Sequence, residues 1–155
     1  MPVQPPKMVD YTWSIYYNFD QYLWSPSGHP DRGIGTFFRF GASDGVANPV
    51  KYAYNVGLGG NGIVPGRPDD SFGIGWARTQ LSGNFVPFLR EHLPLGLQKE
   101  DAVELYYNAS LTKWLTASLD LQIIDPALKK TLDPSGQLKN VNTAVVAGLR
   151  LYARF

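Results

Sequence analysis

The last fifteen residues, Val141–Phe155, alternate almost without a break. Odd positions hold Val141, Thr143, Val145, Ala147, Leu149, Leu151, Ala153 and Phe155; even positions hold Asn142, Ala144, Val146, Gly148, Arg150, Tyr152 and Arg154. Successive side chains of a strand point to opposite faces, so this segment is a ribbon with one apolar face and one polar, partly cationic face. It runs to the final residue, an aromatic, whereas the ends of soluble domains usually fray. Such a ribbon belongs at the boundary between an apolar medium and a polar one.

The same unit recurs upstream. Leu115–Ile124 sets Leu115, Ala117, Leu119, Leu121 and Ile123 against Thr116, Ser118, Asp120 and Gln122. Ala102–Thr112 sets Val103, Leu105, Tyr107, Ala109 and Leu111 against Glu104, Tyr106, Asn108, Ser110 and Thr112, and only Lys113 and Trp114 separate the two, a tight hairpin with an aromatic at its base. Weaker alternation marks Tyr11–Trp24, Gly33–Ala42 and Lys51–Leu58. In Ser71–Leu81, Phe72, Ile74 and Trp76 share parity with Arg78 and Gln80, so either a bulge intervenes or the strand tip leaves the apolar zone. This gives about seven strands and no helix: an all-β antiparallel meander.

Composition narrows the class. With 14 basic and 13 acidic residues the chain carries no field for nucleic acid, and without cysteine it has no disulfide framework or thiolate metal site. Charged residues are 17%, against roughly 25% in typical soluble chains. No run approaches the ~20 apolar residues of a membrane helix. The opening MPVQPPKMVD is irregular (residues 1–10), and no apolar stretch of a secretory signal is legible in it.

Connections differ in character on the two sides. Lys113–Trp114, Gly60–Asp70 and Ser25–Arg32 are short or rich in Gly, Pro and Asp, whereas Leu81–Asp101 and Asp125–Asn140 are long, with Pro87, Pro94, Pro126 and Pro134. Short turns on one side and long loops on the other are the asymmetry of an outer-membrane β-barrel; the short Asp44–Val50 connection is the exception.

Three motifs carry no chemistry. Gly41-Ala42-Ser43-Asp44-Gly45 has the letters of a nucleophile elbow, but Val46-Ala47-Asn48-Pro49 leaves no room for its helix. Gly57-Leu58-Gly59-Gly60-Asn61-Gly62 has those of a dinucleotide fingerprint, but Pro65 and Pro68 forbid the helix that would hold a pyrophosphate. His29 and His92 fall in connections on opposite sides, too far apart to share a metal. No catalytic group and no cofactor is expected.

GIGTFFRFGASDG, NGIVPGRPDDSFGIGWARTQLS, VELYYNASLTKWLTASLDLQIIDP and AVVAGLRLYARF together resemble the C-terminal half of OprB-like carbohydrate-selective porins. The most specific pieces are Gly66-Arg67-Pro68-Asp69-Asp70-Ser71, the spacing from Glu104-Leu105-Tyr106-Tyr107 through Trp114 and Gln122 to Pro126, and the terminal Gly148-Leu149-Arg150 and Phe155. The resemblance implies that residues 11–155 are part of a sixteen-stranded outer-membrane barrel of a Gram-negative-type bacterium, usually trimeric, that passes carbohydrates by diffusion. It also implies a missing N-terminal half, so that this segment alone is an open sheet and membrane lipid and further strands are its partners.

On that resemblance the polar face is a channel wall. Arg39, Arg78, Glu104, Tyr106, Asp120, Gln122 and Arg150 are its candidate pore-lining residues, with Arg154 near the chain end. Charged groups cost roughly 2–4 kcal/mol in mid-bilayer hydrocarbon, so these must meet water or protein. They either contact sugar hydroxyls or form cross-strand ion pairs that stiffen the wall. Arg67, Asp69 and Asp70 are expected to brace a turn. Tyr107, Trp114 and Phe155 are expected at the membrane interface, with Phe155 resembling the terminal aromatic read by outer-membrane insertion machinery. Two other readings compete: a soluble β-sandwich binding module that buries the Phe38, Leu121 and Val145 faces together, and a non-functional porin gene fragment.

Overall fold

The alternating segments pair into one antiparallel sheet. In a computed structural model describing residues 9–84 and 96–155, the strands are β1 (Ser14–Trp24), β2 (Gly33–Ser43), β3 (Val50–Asn61), β4 (Ser71–Leu81), β5 (Glu100–Ser110), β6 (Leu115–Asp125), β7 (Lys130–Leu132), β8 (Leu138–Asn140) and β9 (Ala144–Ala153). Seven of them form a meander in the order β1-β2-β3-β4-β5-β6-β9, while β7 and β8 make a separate hairpin. Each neighbour in the sheet pairs antiparallel with its predecessor, across short turns and long loops alike. β1 and β9 are the two edges, and the sheet is open.

Register carries one apolar face across the whole sheet. Directly opposed residues share a face, and one rung reads Phe19, Phe38, Val56, Trp76, Val103, Ile123 and Val145. The rung beside it on the other face reads Asp20, Phe37, Gly57, Gly75, Glu104, Gln122 and Val146. No second layer covers the apolar face among the described residues: Leu149 is 72%, Val145 69%, Leu119 59% and Leu105 50% exposed. The sandwich expectation is therefore overturned, because Leu121 and Val145 meet no opposing sheet.

Aromatic residues gather towards both ends of the apolar face. Trp24, Phe72 and Tyr107 lie towards the turn end, with Trp114 and Phe155 just beyond the strands, while Tyr17, Phe40, Tyr52 and Tyr54 lie towards the loop end. Aliphatic residues such as Leu58, Ile74, Leu105 and Leu121 share the middle with Phe19, Phe38 and Trp76. This is the layout of a barrel wall in a bilayer, where amphipathic rings sit at headgroup depth.

Several boundaries differ from the sequence expectation. The β5–β6 connection is not the two residues Lys113–Trp114 but Leu111–Trp114, because the Thr112 hydroxyl accepts from the N–H groups of Trp114 (3.3 Å) and Leu115 (3.0 Å) and caps the turn. β3 continues through Gly59 and Gly60, which are paired on both sides by β2 and β4. The Asp125–Asn140 loop contains the β7–β8 hairpin, closed by Asp133, whose carboxylate accepts from Ser135 N and Gln137 N at 2.9 Å each. This loop also pairs with the preceding long connection, through Lys129 N to Gly96 O at 2.7 Å and Gln98 N to Ala127 O at 2.9 Å. Pro87, Pro94 and His92 lie outside the described residues, as do residues 1–8.

The expected irregularity of β4 sits instead in its neighbour. The register slips in β3 between Val50 and Tyr52, while β4 keeps its alternation from Ser71 to Gln80. The nucleophile-elbow lookalike is the end of β2 and its turn, where the Ser43 hydroxyl donates to Val50 O at 2.6 Å. The fingerprint lookalike is the latter half of β3 together with Gly62, the first residue of the turn.

Candidate functional site: the polar face of the sheet

Parity and register bring most of the sequence-derived residues together. Glu104 faces Gln122, Tyr106 faces Asp120, Ser118 faces Arg150, and Asp120 faces Gly148, all on the face opposite Leu105, Leu121 and Leu149. Gly148 leaves room beside Asp120, and a hollow of about 300 Å³ opens there, lined by Glu104, Tyr106, Asp120, Gln122 and Arg150 among others. Gln122 lies directly across from Glu104 and Asp120 one rung along, and Arg150 lines the same hollow. Carboxylates, an amide and a guanidinium thus converge as donors and acceptors on one patch of wall.

Arg39 stands apart, on β2. Its Nη2 lies 2.7 Å from both carboxylate oxygens of Asp20, and its Nη1 donates to Phe19 O at 2.7 Å. The pair bridges β1 and β2, with side chains 38% and 66% exposed. An ion pair so wet contributes little stability and mainly fixes the guanidinium in place. Arg154, at the chain end, has its guanidinium 5.9 Å from the Tyr152 ring centroid.

Arg78 does not join this face. It is opposite Tyr54 on one side and Asp101 on the other, in step with Phe72, Ile74 and Trp76, so its assignment to the channel lining is corrected to the apolar face. There its Nε and Nη2 reach the Asp101 carboxylate at 2.7 and 3.1 Å, and its guanidinium lies 5.1 Å from the Trp76 ring centroid. Asp101 neutralises it and the ring shields it, at the loop end where Tyr54 also lies. The strand tip, not a bulge, is what lets a charge share the parity of β4's apolar residues.

The turn between β3 and β4 is braced from β5. Asp70 is 1% exposed, and its carboxylate accepts from Arg67 Nε (2.8 Å), Ser110 N (2.9 Å) and the Tyr107 hydroxyl. Burial alone would raise the Asp70 pKa, but the hydrogen bonds from Arg67, Tyr107 and Ser110 outweigh it and hold the carboxyl below its ordinary value. Tyr107 is thereby tied to a turn rather than left free at the interface. Trp114 and Phe155 stack on each other, centroids 6.4 Å apart and planes 25° from parallel. Asp69 is exposed, and His29 lies in the β1–β2 connection. Among the described residues no group of three acidic, His or Cys side chains is placed to hold a metal.

The centre of the polar face is bare of side chains on β3 and β4. Gly57 faces Gly75, and Gly59 faces Gly73, giving a glycine patch in the centre of the polar face. Two rings lie across it from opposite sides: Phe37 from β2 over Gly57, and Tyr106 from β5 over Gly73. A Cβ on Gly57 would sit 2.5 Å from the Phe37 ring, and one on Gly73 would sit 2.6 Å from the Tyr106 ring. The signal was present as Gly33-Ile34-Gly35, Gly57-Leu58-Gly59 and Gly73-Ile74-Gly75, three successive strands with glycines on the polar parity.

Comparison with known proteins agrees with this geometry. The sequence matches the profile of the carbohydrate-selective porin OprB family over residues 3–155. It is 28% identical over 150 residues to Porin B of Pseudomonas aeruginosa, an alignment that takes in 87% of this chain and 31% of that protein. The high-pH structure of Pseudomonas putida OprB superposes with a TM-score of 0.72 at 26% identity, covering 89% of this chain and 34% of that one. The chain spans about a third of the length of each.

Proposed function

The chain belongs to the OprB family of carbohydrate-selective porins, and we propose that its polar face is a stretch of channel wall along which carbohydrates diffuse passively through a bacterial outer membrane. The observation that carries this reading is the separation of faces across all seven strands: aliphatic and aromatic side chains without cover on one, Glu104, Asp120, Gln122, Arg150 and Arg39 on the other. Lipid is the medium that suits the first face, and a water-filled lumen suits the second. The process has no covalent step and no energy source; selectivity comes from lumen width and lining groups.

Among the described residues two strand edges remain unpaired, since β1 and β9 each have one neighbour. Hydrocarbon does not tolerate such edges, so further strands continue the wall, in the manner of the longer relatives. An N-terminal barrel half supplies them in this reading, and the barrels associate as trimers.

The test uses the absence of cysteine from this chain, with any cysteine of the remaining strands replaced by serine. In the complete membrane-inserted barrel, Glu104→Cys and Arg150→Cys are exposed to a water-soluble, membrane-impermeant thiol reagent during conductance recording, with Leu105→Cys as the opposite-face control. Reaction lowers conductance at positions 104 and 150 and leaves it unchanged at 105. Block at 105 with none at 104 and 150 would invert the assignment of faces and remove the proposal.

A further inference from the structure

We propose that Phe37 and Tyr106 form a stacking platform for a pyranose ring, a subsite built on the glycine patch at the centre of the polar face. The inference rests on the reading of that face as channel wall, and deepens it by naming a place where sugar is held.

The four glycines are not there for backbone conformation. Gly28, Gly33, Gly45, Gly62, Gly66 and Gly136 adopt positive φ, whereas Gly57, Gly59, Gly73 and Gly75 do not. Any residue could take their extended backbone, and glycine within a strand weakens it. What Gly57 and Gly73 require is the absence of a Cβ. Besides its 2.5 Å clash at Gly57, the Phe37 ring lies 3.3 Å from the Cβ that Gly75 would carry; the Tyr106 ring, besides its 2.6 Å clash at Gly73, brings its hydroxyl to 3.9 Å from that of Gly59. Each ring therefore extends along the wall over two strands instead of standing into the lumen. Both are half-buried, one side on the backbone and the other open.

The rings lie on neighbouring rungs of the same face, Phe37 with Gly57 and Gly75, Tyr106 with Gly73 and Gly59. Such rungs are two residues apart, roughly 6.8 Å along the strands. Both rings line one hollow of about 500 Å³, into whose wall Asp20, Asn61 and Ser71 also enter. The Arg39 guanidinium, pinned by Asp20, stands 5.8 Å from the Phe37 centroid and borders the ring. Aromatic surface beside fixed hydrogen-bonding groups suits a ligand with a C–H face and a hydroxyl rim, which is the surface of a pyranose with equatorial hydroxyls. A straight-chain polyol has the hydroxyls without the flat C–H face.

The test is saturation-transfer NMR on the complete barrel in detergent, with folding checked by circular dichroism. The probes are methyl β-glucopyranoside and sorbitol. Transfer to the glucoside, strongest at its axial ring protons and weak to sorbitol, is the expected result. Phe37→Leu and Tyr106→Leu each reduce it about fivefold, as removal of one aromatic partner should. Tyr106→Phe and Phe37→Tyr keep a ring on the wall and retain the signal, so variants that fold poorly do not decide the matter. Equal transfer to sorbitol, loss of signal in Tyr106→Phe, or an unchanged signal in folded Phe37→Leu and Tyr106→Leu would overturn the platform. None of these outcomes bears on the cysteine block of conductance, so the channel wall and the platform fail separately.

Discussion

Tyr107 projects from β5 on the apolar face, yet its hydroxyl donates to the carboxylate of Asp70, 37 residues earlier, in the turn that leads into β4. Arg67 and the Ser110 N–H complete the shell of that buried carboxylate. A local turn motif is thereby fastened to a strand formed much later in the chain.

Asp70→Asn is expected to destabilise the folded barrel by about 1–3 kcal/mol, because it leaves charged and neutral donors facing a weaker acceptor. Tyr107→Phe removes a single hydrogen bond and costs less, about 0.5–1.5 kcal/mol. Denaturant titration followed by tryptophan fluorescence in detergent measures both. A larger loss in Tyr107→Phe than in Asp70→Asn would mean that the carboxylate does not organise the turn.

The same carboxylate sets an acid limit. Its pKa is lowered from the ordinary 3.8, so its stabilising contribution is complete above that value and is lost as pH falls through the lower folded one. The midpoint of the native chain should fall more steeply below about pH 4 than that of Asp70→Asn. Parallel acid limbs in the two proteins would show that Asp70 contributes nothing to pH dependence.

Facing predicts opposite tolerances at adjacent residues. Leu105→Arg places a charge on the apolar face and is expected to cost roughly 2–4 kcal/mol at mid-bilayer depth. Glu104→Gln, one residue away on the polar face, should leave the folded fraction in lipid vesicles nearly unchanged. Comparable losses at both positions would contradict the alternation of β5.

Arg39 and Asp20 offer a measure of how wet the wall is. A double-mutant cycle through Arg39→Gln and Asp20→Asn should return a coupling of about 0.2–1 kcal/mol, the range of exposed pairs. A coupling of several kcal/mol would place the pair in a dry site and argue against an open lumen beside it.

Phe155 stacks on Trp114 and ends the chain. Deleting Phe155 should lower the yield of inserted barrel in cells. If the stack itself is what matters, an arrangement worth about 0.5–1.5 kcal/mol, Trp114→Leu should lower yield equally; if the terminal aromatic is read during assembly, Trp114→Leu should insert normally. Normal insertion of the deletion variant would exclude both roles.

Seven sheet strands, their order and their facing were legible in the sequence because a strand's two faces meet different media, and period-two alternation records that directly. Resemblance through segments such as Gly66–Ser71 and Gly148–Phe155 placed the chain in its porin family. Alternation says what a residue faces but not what it touches across the sheet. The Arg39–Asp20 and Arg78–Asp101 pairs link residues 19 and 23 positions apart, and register alone brings them together. Arg78 was misassigned because charge usually marks the polar face, whereas a nearby carboxylate and ring can shelter it at a strand tip. The glycine patch was hidden for a related reason. A glycine has no side chain to report its face, and only tertiary structure showed that Phe37 and Tyr106 occupy the space left by the missing Cβ atoms of Gly57 and Gly73.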